Sequence, residues 1–194
     1  MKKFIVILGP DGCGKTTFVN KLSFKFKKNT LKIYTFKFIL PEIKKLFSIK
    51  KKRNFKKKHA GMVVPKSFLR STILACWYGF DYIIGHIIKR FYNKYLIISV
   101  RSYHDFFYQR AYRNINLIIP KFFLLLGPRP DLILILKRNP KNIYRDKNEL
   151  TIEEIKIQYD RLKKYFGKNK NYFELEIDSK SETLSNIFDM IKDE

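Results

Sequence analysis

Gly9-Pro10-Asp11-Gly12-Cys13-Gly14-Lys15-Thr16 has the spacing G-x-x-x-x-G-K-[ST], a run whose chemistry is the holding of phosphate. Glycines at these positions let successive backbone N–H groups turn inward around an anion. A helix opening behind them adds the positive end of its dipole. Lys15 follows the last glycine at the reach of the outer phosphates of a nucleoside triphosphate, and the Thr16 hydroxyl is placed to ligate Mg²⁺. Gly9, Gly12, Cys13, Gly14 and Thr17 complete the cradle. Phosphate does not require a carboxylate at the third position, so Asp11 is expected to face an acceptor and bond a sugar hydroxyl. Ordinary Pro-Asp-Gly turn chemistry is the competing role. Cys13 reads as a small residue tolerated in the loop, with a thiol whose pKa the loop amides would lower.

Two further clusters could act on the same phosphates. Val100-Arg101-Ser102-Tyr103-His104-Asp105 follows an apolar run, at the edge where a parallel sheet presents ligands. There Arg101 can clamp phosphate bidentately, and Asp105 can orient it or bind an acceptor hydroxyl. His104 reads as a hydrogen-bonded loop residue rather than a base, because phosphoryl transfer asks mainly for positioning and charge neutralisation. Arg138, Arg145, Lys147 and Glu149 precede a helix, where cations could close over a triphosphate as a lid spanning about residues 138–150.

Positioning these groups requires apolar runs alternating with helical patterns, which predicts βαβ units and a parallel sheet. The strand-like runs are Phe4–Leu8, Leu31–Phe38, Tyr95–Val100, Asp131–Leu136 and Tyr172–Ile177. Helical patterns cover Lys15–Lys27, Ser67–Tyr92, Phe106–Asn114, Thr151–Phe166 and Ser181–Lys192. Thr151 followed by Glu154 is a capping-box signature. The fold class is therefore α/β: a three-layer sandwich with a five-stranded parallel sheet, as one domain over residues 1–194.

Composition narrows the partners. The chain has 194 residues, 45% apolar, with 41 Lys+Arg against 17 Asp+Glu and a formal net charge of +24. These values exclude a disordered chain or a disulfide scaffold, and they call for anionic partners. Abundant Ile, Lys, Asn, Phe and Tyr also fit an AT-rich coding sequence, which would make part of the charge compositional. Residues 44–58 carry nine Lys or Arg among fifteen, a basic insertion open to nucleic acid or an anionic membrane surface. Two cysteines, Cys13 and Cys76, and no apolar run of membrane-spanning length point to a reducing cytoplasm.

Taken in order, four segments resemble the thymidylate kinase family of P-loop nucleoside monophosphate kinases, over roughly residues 3 to 178. They are Gly9–Thr17 with its carboxylate at Asp11, Tyr95–Asp105, Pro128–Leu136 and Lys147–Tyr159. The last is closest to the branch found among bacterial surface-polysaccharide genes. The resemblance implies transfer of the ATP γ-phosphoryl to a nucleoside monophosphate or related phosphorylated acceptor, with Mg²⁺, a closing lid and a homodimer. It also implies that Arg101 holds the acceptor or bridging phosphates and that Arg70 contacts the acceptor phosphate. Val100 and Lys137 stand where the family carries carboxylates, and Asp146 where the branch carries Arg. A second reading follows from those departures: a nucleotide-binding regulatory or scaffold protein without transfer chemistry.

Overall fold

A computed structural model describes residues 4–25, 31–35, 38–41, 64–91 and 95–177 of the chain. Five strands form one sheet: β1 (Phe4–Leu8), β2 (Leu31–Thr35), β3 (Leu96–Val100), β4 (Leu132–Lys137) and β5 (Tyr172–Glu176). All pairings are parallel and the order is β2-β3-β1-β4-β5. The helices are α1 (Lys15–Lys25), α2 (Phe68–Phe91), α3 (Asp105–Tyr108), α4 (Ile118–Leu126), α5 (Pro140–Asp146) and α6 (Ile152–Phe166). The basic insertion at 44–58 and the pattern Ser181–Lys192 lie outside the described residues.

Strands β1 and β3 are buried at every position, and β4 at all but its last, because helices cover both faces of the sheet. Alternation divides them cleanly. Ile5, Ile7, Ile98, Leu132, Leu134 and Leu136 point toward α1, through Phe18, Val19 and Leu22. Phe4, Val6, Leu8, Ile97, Ile133 and Ile135 point the other way, onto α2, α3, Phe123 of α4, and Leu162 and Phe166 of α6. The result is the three-layer sandwich expected from the strand and helix periods.

Two expected elements come out differently. The pattern Phe106–Asn114 is not one helix: α3 stops at Tyr108, Gln109 is extended (φ −70°, ψ 136°), and a 3₁₀ turn covers Arg110–Tyr112. Gln109 Nε2 donates to Asp105 Oδ2 at 2.6 Å. Strand β2 covers Leu31–Thr35, and the expected end of its run, Phe38, lies with Ile39 in a bend instead; residues 36 and 37 lie outside the described residues. That bend is held by Asp81, a buried carboxylate of α2, which accepts from the backbone N–H groups of Phe38, Ile39 and Leu40 at 2.5, 2.7 and 2.6 Å. The Phe38 ring lies over Gly85 one turn further along α2, where a Cβ would sit 2.5 Å from it.

The capping signature is half realised. Thr151 Oγ1 accepts from the Glu154 N–H at 3.2 Å, but the Glu154 carboxylate takes Arg113 as its partner at 2.6 Å. The order of strands matters most for function. Because β3 and β4 flank β1 on opposite sides, the loop leaving β1 sits between the carboxyl ends of both neighbours, the crevice where open α/β sheets bind ligands.

Candidate active site

Three glycines give the loop its shape. Gly9, Gly12 and Gly14 have φ of 147°, 92° and 95°, values that side chains oppose. A Cβ at Gly9 would also lie 2.7 Å from Cys13 Sγ and 2.9 Å from the Leu136 carbonyl, so the loop packs directly on β4. Cys13 is therefore turned into the core between sheet and α1, fully buried. Burial raises its thiol pKa, which corrects the expectation that loop amides lower it.

Lys15 is buried along the loop. Its ammonium donates to the Gly9 carbonyl at 2.5 Å and the Pro10 carbonyl at 2.9 Å, and lies 3.7 Å from Asp11 Oδ1. Asp11 in turn accepts from Arg101 Nη2 at 2.6 Å. Arg101 is the first residue beyond β3 and has φ of 57°, the left-handed region that non-glycine residues enter only at a cost. That turn bends the chain so the guanidinium reaches back over the loop instead of continuing along the strand.

These groups open onto one cavity of about 550 Å³. Asp11, Lys15, Thr16, Thr17, Arg101 and Lys147 line it, with Gly12, Gly14, Val100 and Asp146. Thr16 is exposed at its floor. Among the described residues no cluster of His, Cys, Asp or Glu could hold a resident metal. The hydroxyl of Thr16 fits Mg²⁺ that arrives with triphosphate oxygens and keeps most of its water, as that ion prefers.

The segment expected to form a lid reaches the loop through α5. Asn139 caps this helix, its side chain accepting from the Lys141 N–H at 2.9 Å, and Pro140 occupies the first turn. Ile143 is buried beneath it, and a Cβ on Gly12 would meet Ile143 and Lys147 at 3.2 Å each. Arg138 Nη1 donates to the Gly12 carbonyl at 3.4 Å, while its Nη2 bonds Asp146 at 2.5 Å. This hydrogen bond holds the Asp146 carboxyl below the ordinary range. Arg138 also borders a second depression of about 580 Å³, lined by Lys137, Lys156, Tyr159 and Glu176.

The chain is 30% identical to thymidylate kinase of Prochlorococcus marinus (strain AS9601), over an alignment of 203 residues covering 95% of this chain and 92% of that protein. The chain belongs to the thymidylate kinase family. No protein-family model matches the chain. The fold agrees: thymidylate kinase of Candida albicans superposes with a TM-score of 0.64 at 16% identity, covering 98% of this chain and 92% of that one. That of Ehrlichia chaffeensis gives 0.58 at 14% identity, covering 98% of each.

As a thymidylate kinase family member, the chain distributes its expected site residues unevenly. The structure brings Gly9, Asp11, Gly12, Cys13, Gly14, Lys15, Thr16, Thr17, Arg101 and Lys147 to the loop and its cavity. Arg145 is 73% exposed beside Asp146 and is not among the cavity residues. Arg70 lies on the exposed first turn of α2, also outside that lining. Asp105 is buried, accepting from the Tyr108 hydroxyl at 2.7 Å and from Gln109, and does not line the cavity. Burial, opposed by the charge of Lys15, pushes its pKa up to about 7. His104 is sealed against Ser102 at 2.7 Å, with burial taking its pKa down to about 3, so it is a neutral structural residue. Val100 is buried, and Lys137 is ion-paired to Glu174 of β5.

Sequence reading missed Tyr108, which donates to the Gly9 carbonyl, and took Asp146 only as a departure from the branch, not as the partner of Arg138. Tyr108 had a local signal, one helical turn after Asp105.

Proposed function

We propose that the protein transfers the γ-phosphoryl of ATP to a nucleoside monophosphate of the dTMP type. The observation carrying this reading is the convergence of Lys15, Thr16, Asp11, Arg101 and Lys147 on one cavity at the end of β1. Loop amides and Lys15 hold the β- and γ-phosphates. Arg101 bridges donor and acceptor phosphates, with Asp11 fixing its guanidinium. An acceptor phosphate oxygen attacks the γ-phosphorus in line, the bond to the β-phosphate oxygen breaks, and ADP leaves. The Thr16 hydroxyl would hold Mg²⁺ on the protein side, and the ion, when bound, would supply charge neutralisation. Lys147, and Arg145 once α5 moves inward, neutralise charge on the transferred group.

We read the chain as one domain with residues 138–150 as its lid, and place it in the cytoplasm. Lys147–Tyr159 supports placing it in the surface-polysaccharide branch of the family. Leu69, Ile73, Phe80, Ile87 and Phe91 of α2 are all at least half exposed on one face, continued by Ile118, Phe122 and Leu125 of α4. That stripe supports a homodimer through α2 and α4.

The deciding experiment is ADP release from Mg·ATP with a panel of deoxy- and ribonucleoside monophosphates and sugar phosphates. Stimulation by one deoxynucleoside monophosphate is the expected result. ATP binding without acceptor-dependent ADP release would overturn the reading.

A further inference from the structure

Gly9, at the start of the phosphate loop, is buried, and its carbonyl has two donors at hand. Lys15 Nζ lies at 2.5 Å and the Tyr108 hydroxyl at 3.1 Å. Tyr108 is fully buried, comes from the short helix α3, and also has Asp105 Oδ1 at 2.7 Å. A phenol has one proton, so it cannot serve both acceptors at once. The carboxylate and the loop carbonyl compete for it.

The competition matters when Lys15 engages a phosphate. Its ammonium then leaves the Gly9 carbonyl, and a buried carbonyl without a donor carries a desolvation penalty. Tyr108 is the group that can remain there. We propose that Tyr108, oriented by Asp105, is a positioning residue of the phosphate loop that satisfies the Gly9 carbonyl when Lys15 turns to the nucleotide. The proposal rests on the kinase reading above, and it assigns Asp105 to the loop rather than to the acceptor.

The state of Asp105 sets the direction of the phenol. Protonated, its carboxyl donates to the Tyr108 oxygen and releases the phenolic proton to Gly9. Ionised, it captures that proton. The groups facing Asp105 are Lys15 and Asp11 from the loop and α1, Arg101 beyond β3, Tyr112 from the 3₁₀ turn, and Tyr108 and Gln109 beside it. Helix α6, packed on α3, meets Phe107 with Tyr165 and Phe166, and its Glu154 is paired with Arg113. Burial outweighs the cations and brings the carboxyl's titration to about pH 7.

Mg·ATP binding by calorimetry, on the whole protein between pH 6 and 8, tests this without needing the acceptor. Tyr108→Phe is expected to raise the Kd about tenfold at pH 6.5, the factor expected from one unsatisfied buried carbonyl. The wild type is expected to bind more weakly as pH rises through 7. Asp105→Asn, whose amide can donate to Tyr108 at every pH, is expected to lose that dependence. The nucleotide's own titration is common to both and cancels in their ratio. Tyr108→Phe binding as tightly as wild type would overturn the proposal, as would Asp105→Asn keeping the wild-type slope. The second result decides the matter if Tyr108→Phe does not fold. Wild type that binds no ATP at any pH would instead overturn the kinase reading, and this proposal with it.

Discussion

Arg101 and Asp11 are 90 positions apart in the chain and joined by a 2.6 Å hydrogen bond across the phosphate loop. The bond exists because Arg101 adopts φ of 57° immediately after β3, which swings its guanidinium back over β1's loop. Removing the side chain while keeping a Cβ retains the strained backbone; removing both relaxes it. Arg101→Gly is therefore expected to be more stable than Arg101→Ala by about 0.5–1 kcal/mol. Urea midpoints measure that difference. Phosphoryl transfer should fall equally in both, because each lacks the guanidinium.

Lys15→Ala separates chemistry from folding. The loss is expected to be roughly 10²–10³-fold in kcat/KM for ATP-dependent ADP release, typical of a removed transition-state donor. Circular dichroism and Tm should stay close to wild type. Undiminished turnover would remove Lys15 from the mechanism.

Two buried groups in adjacent positions give opposite pH dependences of stability. His104 titrates near 3 folded and 6.5 unfolded, so between those values the unfolded chain holds the extra proton and stability rises with pH. Asp105 titrates near 7 folded and 3.8 unfolded, so the folded chain holds the extra proton and stability falls with pH over that window. Each contributes a slope of up to about 1.4 kcal/mol per pH unit. Their effects oppose between about pH 4 and 6.5. Asp105→Asn is expected to unmask the histidine, giving stability that climbs with pH where the wild type is flatter. Denaturant melts at pH 4.5, 5.5 and 6.5 are the measurement; parallel curves for the two proteins would contradict it.

Asp81 holds residues 38–40 by three charge-assisted bonds to backbone N–H groups. Asp81→Ala is expected to cost about 2–4 kcal/mol, since those partly buried donors lose a shared charged acceptor. Limited proteolysis should then cut near Phe38 well before it cuts α2. Equal protection in wild type and variant would show that Phe38's packing on Gly85 suffices.

The apolar stripe on α2 yields a mass measurement. A homodimer by light scattering is expected for the wild type, and Phe80→Glu with Ile87→Asp is expected to give monomer with the same circular dichroism. A wild-type monomer at micromolar concentration would exclude this interface.

The sequence carried some of this plainly. Strands β1, β3 and β4 were legible as dense apolar runs because burial on both faces leaves no polar alternation to read. The loop glycines and the Thr151 cap were legible because their chemistry is local. Strand order was not, since β1 pairs with β3 and β4 across long connections. The two ends of the Asp81 bond to Phe38 are 43 positions apart, and nothing near either residue signals the other. The lid is instructive in another way. Arg145 and Lys147 look equivalent in sequence, but Asn139 and Pro140 fix where α5 begins and therefore its phase. Two positions beyond Ile143, a helical residue is rotated by about 200°. With Ile143 buried, Arg145 faces outward, whereas Lys147 leaves the helix at φ −150° and ψ 88° and returns to the loop.

Gly12 is a torsional necessity at φ 92°. It is also a clearance. Ile143 and Lys147 stand 3.2 Å from where its first side-chain carbon would be, so the phosphate loop and the lid touch through the space of one missing methyl. A single added carbon there would crowd both side chains, and one of them would have to give by a few tenths of an ångström. Gly12→Ala is therefore expected to displace Ile143 or Lys147 by that much at a strained φ of 92°, and to raise ADP release in the absence of acceptor, which a turnover assay without acceptor checks. The seating of α5 against the phosphate loop is thus set, in part, by an absence.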